Sequence, residues 1–479
     1  MAPVRRVPAV VAATGLLLAA CTAGGSPGAA PGPSVPGSTT VTSTTTGPPP
    51  SVPPPATVAG CPPVPDRARP DPTRPRYRLT VEVRPAEAEV LGTLAVDFAP
   101  DLATDRLVFR LWPNGPRLAR AGAGLAVADL RWEGRDLPIE QPDPTTLVVR
   151  PPGGLAPGVE TTTSLSWRLG LPSPGADDRV GLEGGAVRLG SFFPILAWEP
   201  GRGWATEPPV EGFAEASTAP VADFSVDVTV PPGADVLATG QRHGWRWEAP
   251  AVRDFALSVG RFRQAERTAR APGPVAVTVG VQEGLGDDPA AYADKVVAAL
   301  EDFARRFGPY PWPTLTLAVT PGLMGGIEYP AHLLQGPRTQ GRTTAHEVAH
   351  MWFYGLVGND QGADPWLDEG LATYAEATFE GVLAQVAATP LPAAARGRLG
   401  EPMTYWSAQG SAYYRGVYVQ GAQALAALGP PELVDCALAV YAAVGAHGIA
   451  EPADLVAAAR AVFPEAAAVL AGYGVDGGP

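Results

Sequence analysis

Two histidines and a glutamate form the short string H-E-V-A-H, which runs from His346 to His350. Residues four apart on a helix lie on one face, about one turn apart, so both imidazoles could bind the same zinc ion. Glu347 would lie close enough to contact a water molecule at that ion and take its proton. The string therefore predicts a helix with two metal ligands and a general base, which is the chemistry of a zinc hydrolase.

A catalytic zinc ion needs a third protein ligand and an open fourth position. Glu369 is the candidate, with eighteen residues between it and His350, in a second helix pattern that reads W-L-D-E-G-L-A-T-Y-A-E. The intervening N-D-Q-G-A-D-P is a turn sequence that lets two helices face each other. We therefore expect one Zn²⁺ ion, held by His346, His350 and Glu369, because these ligand types favour zinc over other divalent ions.

Two other interpretations of the string are weaker. A metzincin would have Gly three residues and His six residues beyond the second histidine, where this chain has Phe353 and Leu356. Two buried structural histidines beside a glutamate would give the same letters. The chain has only five histidines in all, however, and two of them fall in this motif.

The rest of the chain is long enough to position such a site. A chain of 479 residues is too long for one ordinary core, so two or three domains are expected. Its formal net charge of −13 argues against a nucleic-acid-binding surface. Residues 61–264 contain short alternating runs, such as 77–83, 92–98 and 223–230, between Pro-Gly and Asn-Gly turns. They predict an antiparallel β domain.

The character of the chain changes in residues 265–479. Strand-like runs at 275–281 and 315–319 flank a helical pattern at 289–307. Nearly everything beyond residue 343 has a helical pattern, with a start for the metal-binding helix after Thr343-Thr344. The predicted fold class is therefore multidomain α+β, with the metal motif in a second domain that is mostly helical at its C-terminal end.

The N-terminus has the pattern of an export signal. Arg5 and Arg6 precede an apolar run too short to span a bilayer, which takes about 20 apolar residues. The run ends in L-A-A-C, which resembles a bacterial lipobox, so residues 1–20 are predicted to be a signal peptide and Cys21 a lipidated anchor. This predicts an exported lipoprotein on the outer face of the cytoplasmic membrane. The alternative is an ordinary secretory signal with a chance cysteine at the cleavage site.

Residues 21–60 follow as a tether. They are mostly Ser, Thr, Pro and Gly without charged residues, so they cannot bury enough apolar surface to offset their ordering entropy, and we predict disorder. In an exported chain Cys61 and Cys436 could form a disulfide, a question that the sequence leaves open.

Together these motifs resemble the aminopeptidase N family of zinc metallopeptidases, the gluzincins with H-E-x-x-H, eighteen residues and then Glu. Residues 364–372 match its W-L-x-E-G-x-A signature, residues 307–312 its F-G-x-Y-P element, and residues 107–114 a strand of its N-terminal saddle domain. The resemblance covers about residues 75 to 470. It implies a β saddle-like domain followed by a thermolysin-like catalytic domain.

The family also has a G-x-M-E-N segment whose glutamate binds the free α-ammonium group of the peptide. Here Gly325-Gly326-Ile327-Glu328-Tyr329 resembles that segment, so Gly325 and Gly326 are implied to bind substrate and Glu328 to be the amine anchor. Ile327 replaces Met and Tyr329 replaces Asn, which leaves the charge in place but changes its surroundings. An ordinary strand glutamate is the alternative interpretation.

The family's transition-state tyrosine lies beyond the third ligand, in a V-Y-x-x-G context. Tyr418 fits this context best, while Tyr413 and Tyr414 compete with it. A glutamate or glutamine of the β domain usually assists amine binding, and Glu183 lies in the corresponding neighbourhood without a close local match.

The implied activity is that of a zinc-dependent aminopeptidase that acts on peptides with a free N-terminus, as a monomer without nucleic-acid partners. Glu347 would be the general base and Tyr418 would stabilise the oxyanion. The large C-terminal helical domains of longer relatives have no counterpart before Pro479, so a more open cleft is expected. Two alternatives stay open, namely an endopeptidase or oligopeptide-releasing variant and a catalytically silent surface-binding lipoprotein.

Overall fold

The computed structural model describes residues 59–175, 178–211 and 219–476. The predicted signal peptide, the lipidation site at Cys21 and all of the tether except residues 59 and 60 lie outside the described residues. Those assignments stay predictions.

Alternation of apolar and polar residues builds the largest sheet. In the strand Arg76–Arg84, alternate side chains from Tyr77 to Val83 are buried, so one face of the strand packs on the core. From edge to edge the sheet contains Gln241–His243, Arg246–Val252, Ala222–Thr229, Arg76–Arg84, Glu89–Phe98, Thr161–Gly170, Gly124–Trp132 and Arg135–Asp136. Arg76–Arg84 pairs in parallel with Ala222–Thr229, and this one pair departs from the predicted antiparallel pattern. The long connection between these two strands permits it.

Smaller sheets complete the β region. One contains Asp235–Ala238, Leu257–Gly260, Ala186–Leu189 and Val180–Glu183, and another contains Ile195–Leu196, Leu107–Arg110, Thr146–Val149 and Glu140–Asp143. Trp198–Glu199 pairs with Gly203–Trp204, and short helical turns occupy Pro85–Glu87, Trp112–Asn114 and Pro116–Arg120. The motif at residues 107–114 is thus a strand followed by a helical turn.

A five-stranded sheet carries one wall of the site. Its order is Phe262–Arg270, Pro274–Gln282, Thr314–Val319, His332–Gln335 and Gly326–Tyr329, with the last strand at the edge. The helix Pro289–Phe307 joins the second and third strands, which are parallel. Asp288 caps it by accepting a hydrogen bond from the Ala290 amide at 3.0 Å, and Gly308 ends it with a φ of 96°. The predicted domain boundary at 264/265 falls within the first strand.

Helices form the remainder of the chain as predicted. They are Arg342–Ala349, Trp366–Phe379, Leu383–Ala387, Met403–Ala408, Gly410–Tyr414, Gln420–Ala426, Pro431–Val444, Pro452–Arg460 and Ala466–Ala471, with a π-helical turn at Arg415–Val419. Among these helices, the two-residue strands Gly358–Asn359 and Ile449–Ala450 pair with each other in parallel. The predicted α+β fold class is confirmed.

Cys61 and Cys436 form a disulfide, which answers the question that the sequence left open. Their Cα atoms lie 5.7 Å apart and they are separated by 375 residues. Residues 59–75, which we call the N-terminal strap, continue along the helix Pro431–Val444, where the Ala68 amide donates to the Ala443 carbonyl at 2.9 Å. The strap therefore ties the start of the described chain to its C-terminal helices.

Among the described residues, no single helix is long and apolar enough to span a membrane. Two helical stretches, Gly410–Ala426 and Pro431–Val444, pass a length and composition test only as a pair bent by 112°.

Candidate active site

The metal-binding helix begins at Arg342, three residues before the start predicted after Thr343-Thr344. Gly341, with a φ of 122°, stands at its N-cap, so the start is set by a glycine turn and not by a threonine cap. The helix runs to Ala349, and His350 lies at its C-cap in helical conformation. Val348 and Ala349 are fully buried in the core, and the same helix brings His346 to Glu369 and Glu347 to Gly326.

The three predicted ligands meet at one point. The Nε2 atoms of His346 and His350 lie 3.1 Å apart, and Glu369 Oε2 lies 3.0 Å from the first and 3.4 Å from the second. Atoms at these separations can share a single ion at the ~2.0–2.2 Å that zinc keeps from nitrogen and oxygen ligands. Two imidazole nitrogens and one carboxylate oxygen are also the ligand set of a catalytic zinc site, so the donor set fits one Zn²⁺ ion.

Partners behind the two histidines fix which ring nitrogen faces this point. His350 Nδ1 lies 3.1 Å from the carbonyl oxygen of Phe353, which can accept its proton. His346 Nδ1 lies 3.6 Å from Glu376 Oε2. A protonated Nδ1 leaves Nε2 as a lone-pair donor, and such partners are the usual supports of metal-binding histidines.

Electrostatics at this point favour a cation. Burial lowers the pKa of His350, but the charges of Glu328 and Glu369 more than offset burial and raise it to about 10. Burial raises the pKa of Glu369, and hydrogen bonds to His346 and His350 outweigh it, so the net shift is downward. The negative charges of Glu328 and Glu369 therefore stabilise a positive charge at this point, and a divalent metal ion would be stabilised in the same way.

Glu347 lies beside the ligands in a buried position. Its Oε2 atom has no hydrogen-bond partner among the described residues, and burial raises its pKa to about 8. A side chain at Gly326 would place Cβ 2.3 Å from Glu347 Oε1, so only glycine permits the approach of the two segments. Gly326 thus lies against Glu347, the predicted general base, whereas a Cβ at Gly325 would meet nothing within 4 Å.

Glu328 enters the cleft from the edge strand Gly326–Tyr329. It is 6% exposed, and burial raises its pKa, while His350 acts in the opposite direction. Acceptor atoms of Glu328, Glu347 and His350 all lie within 4.8 Å of one another. Tyr329, which replaces the family's Asn, is buried against Gly190 and does not line the cleft, whereas Ile327 does.

Of the three competing tyrosines, Tyr418 contacts two of the predicted metal ligands. Its hydroxyl donates to Glu369 Oε1 at 2.6 Å, and its ring stacks on that of His346 with centroids 5.7 Å apart. Tyr413 packs edge-on against Tyr418, and Tyr414 is 55% exposed at the cleft.

A close helix crossing brings Tyr418 to Glu369. A Cβ at Gly421 would lie 2.6 Å from the Cα atom of Gly370, so two glycines let the backbones of their helices touch. The π-helical turn Arg415–Val419 holds Tyr418 just before this crossing. Both glycines stand inside the quoted motifs, but their meeting depends on tertiary structure.

The site opens into a cleft of about 420 Å³. It is lined by Asp178, Arg179, Leu323, Met324, Gly325, Gly326, Ile327, Glu328, Gln361, Pro365, Asp368, Glu369, Gly410, Tyr413, Tyr414 and Tyr418. Asp178 and Arg179 come from the β region and had no signal in the sequence. Glu183 is not among the lining residues, and its carboxylate lies against Gly322, where a Cβ would be 2.3 Å from Glu183 Oε2.

The fold and this geometry define a class of protein. Two histidines one turn apart, a glutamate from a second helix, a buried glutamate beside them and a tyrosine hydroxyl form an arrangement that matches the site expected of zinc metallopeptidases of the H-E-x-x-H type.

Comparison with known proteins gives the family. Residues 293–392 match the Peptidase family M1 domain. The crystal structure of the M1 zinc metallopeptidase from Deinococcus radiodurans superposes with a TM-score of 0.62 at 22% identity, covering 86% of this chain and 95% of that one. Residues 293–392 thus match the M1 peptidase domain, the fold is that of the M1 zinc metallopeptidases, and the predicted resemblance to the aminopeptidase N family is confirmed.

Curated relatives match over shorter stretches. Rat aminopeptidase B is 28% identical over 187 residues, which is 36% of this chain and 28% of the relative. Leukotriene A-4 hydrolase of Xenopus laevis is 34% identical over 101 residues, which is 19% of this chain and 16% of the relative. The chain therefore spans less than a third of the length of these relatives. A variant of the Deinococcus enzyme bound to a Tyr-Ser-Ala substrate has a TM-score of 0.60 at 23% identity, covering 84% of this chain and 94% of that one.

Proposed function

We propose that the chain is a zinc-dependent aminopeptidase that removes residues from peptides with a free N-terminus. The observation that carries this proposal is the position of Glu328, whose carboxylate lies within 4.8 Å of both Glu347 and His350. A carboxylate there can bind the α-ammonium group by charge-assisted hydrogen bonds. The first peptide bond of the substrate then falls beside the metal ligands and the base.

The chain's own residues supply the remaining chemistry. A zinc ion held by His346, His350 and Glu369 would polarise the scissile carbonyl and acidify the attacking water. Glu347 takes the proton of that water as it attacks, and then delivers it to the leaving amine. Its raised pKa, about 8, suits a group that must both accept and return a proton near neutral pH.

Tyr418 stabilises the negative charge that develops on the oxygen atom of the scissile carbonyl. Its hydroxyl donates to Glu369 Oε1 at 2.6 Å, next to the position that the substrate carbonyl would take. Turning that donor from Glu369 to the oxyanion would stabilise the transition state without moving the backbone, a contribution on the order of a few kcal/mol.

The setting of the enzyme is also part of the proposal. The lipobox-like L-A-A-C ending at Cys21 supports export and a lipid anchor on the outer face of the cytoplasmic membrane. The disulfide between Cys61 and Cys436 supports an oxidising compartment, because such bonds are rare where thiols are kept reduced. We propose that the protein acts there as a monomer.

Paired fluorogenic peptides test the activity. The same sequence is supplied with a free amino terminus and with an N-acetyl group, each with and without a zinc chelator. Cleavage of the free-amine peptide alone, abolished by the chelator, is the expected result. Equal cleavage of both peptides would assign an endopeptidase, and no cleavage by the zinc-loaded protein would assign a silent binding protein.

A further inference from the structure

Glu376 is a buried carboxylate that the sequence motifs do not include. It lies seven residues beyond Glu369 on the helix Trp366–Phe379, so both side chains project from one face, two turns apart. It is only 5% exposed. Acidic side chains are almost never buried to this extent unless they are paired, so its partners indicate why it is there.

Both partners of Glu376 come from the metal-binding helix. Its Oε1 atom accepts a hydrogen bond from the guanidinium of Arg342, and its Oε2 atom lies 3.6 Å from His346 Nδ1. Arg342 and His346 are four residues apart, on one face of the helix Arg342–Ala349. Glu376 therefore bridges two successive turns of the helix that presents the first ligand.

The two histidines differ in how they are oriented. His350 is held by the backbone carbonyl of Phe353, at 3.1 Å from Nδ1, which no side-chain substitution removes. His346 instead faces a carboxylate that is itself fixed by Arg342. A partner of this kind sets the tautomer and the ring orientation of a metal-binding histidine.

We propose that Glu376 is a positioning residue for the metal site, which keeps the proton of His346 on Nδ1 and directs Nε2 towards the ion. Arg342 holds the Glu376 carboxylate in place. This inference rests on the metal site of the proposed function, but it concerns affinity for zinc and not turnover.

Zinc affinity of the purified chain tests the proposal. A chromophoric chelator competes for zinc with the wild type, with Glu376→Gln, which keeps shape but removes charge, and with Arg342→Ala, which removes the carboxylate's own support. We expect Glu376→Gln to weaken zinc binding about 10- to 100-fold. Arg342→Ala should weaken it less, because the carboxylate remains beside His346.

Asp435→Asn is the matched control. Asp435 pairs with Arg306 Nε at 2.8 Å, the two side chains are 18% and 12% exposed, and the pair involves no histidine. Both Glu376→Gln and Asp435→Asn lose an ion pair. The melting temperatures of the metal-stripped proteins measure how much stability each variant loses. Only Glu376→Gln should also lose zinc affinity.

The outcomes separate the two proposals. Zinc binding by Glu376→Gln as tight as that of the wild type would overturn the positioning role while leaving the zinc site intact. Equal weakening in Asp435→Asn would overturn it as well, because a general loss of stability would then explain the result. A wild-type chain that binds no zinc would overturn the proposed function itself.

Discussion

The two walls of the cleft are built on different principles. On the helical wall, His346, His350 and Glu369 already contact one another at 3.0 to 3.4 Å, and each has a further partner behind it. On the strand wall, Glu328 lies within 4.8 Å of Glu347, which belongs to the facing helix, and Glu347 Oε2 has no hydrogen-bond partner among the described residues. The ligands on the helical wall are paired with one another, whereas the gap between the walls holds the two buried carboxyl groups Glu328 and Glu347.

This difference separates the groups that would bind the metal ion from the groups that would take part in the reaction. Paired groups keep a fixed geometry, which suits ligands of an ion that stays in place. Burial raises the pKa values of the two carboxyl groups at the gap, so they bind a cation or a proton readily, which suits a base and an amine anchor. Substitutions at the gap between the walls should therefore change catalysis while zinc stays bound.

The largest effect is expected from Glu347→Ala. Removing the base should lower kcat by a factor on the order of 10²–10⁴, because no other group takes the proton. Zinc content, measured by atomic absorption, should stay at one ion per chain, since Glu347 is not among the three ligands. Wild-type turnover in this variant would show that the base is another residue.

Gly326→Ala should have the next largest effect. Its Cβ would lie 2.3 Å from Glu347 Oε1, so the base or the strand must move. A displacement of about 1 Å costs on the order of 10²-fold in rate, which steady-state kinetics would detect. Gly286→Ala is the control, because a Cβ there meets nothing within 4 Å. Equal rates in the two variants would mean that the walls can separate freely.

Glu328→Gln should act on substrate binding. Loss of the charged acceptor should raise KM for free-amine peptides about 10- to 100-fold, since a hydrogen bond to a charged group contributes about 1.5–3 kcal/mol. The preference for free over N-acetylated peptides should shrink by the same factor. An unchanged preference would remove Glu328 from the role of amine anchor.

The smallest effect concerns the pH dependence of stability, through a histidine next to the edge strand of the cleft. His332 lies in the strand that pairs with Gly326–Tyr329, fully buried between Ser258 Oγ at 3.1 Å and Thr316 Oγ1 at 2.6 Å, and burial lowers its pKa to about 3. The unfolded chain, with a pKa near 6.5, binds a proton that the folded chain does not, so stability is lost as pH falls through this window.

Denaturant titrations at two pH values measure this effect. Between pH 7.5 and 5.5 the free energy of unfolding should fall by about 1.4 kcal/mol more in the wild type than in His332→Gln. Identical pH dependence in the two proteins would mean that His332 takes up its proton in the folded state.

The parts of the site that follow from short-range spacing could be predicted. His346 and His350 are one helical turn apart, and Glu369 begins a second helix after a turn, so the metal triad follows from local sequence. The approach of Gly326 to Glu347 could not be predicted, because it depends on how a sheet edge packs on a helix. The presence of Glu376 behind His346 depends in the same way on helix packing.

In the fold, too, local features could be predicted from the sequence and long-range pairings could not. The helix Pro289–Phe307 was predicted to the residue, since Asp288, Pro289 and Gly308 mark its ends. The parallel pairing of Arg76–Arg84 with Ala222–Thr229 joins segments far apart in the chain, and alternation alone does not reveal a partner strand.

The disulfide between Cys61 and Cys436 has a mechanical consequence. A pull on the chain upstream of Cys61 would pass through the sulfur atoms directly into the helix Pro431–Val444. The strap and the strand Arg76–Arg84 would be shielded from that load, so they would not peel from the large sheet one hydrogen bond at a time. With the bond reduced, the same force would reach the strap, which includes the Ala68–Ala443 hydrogen bond, before it reaches the sheet.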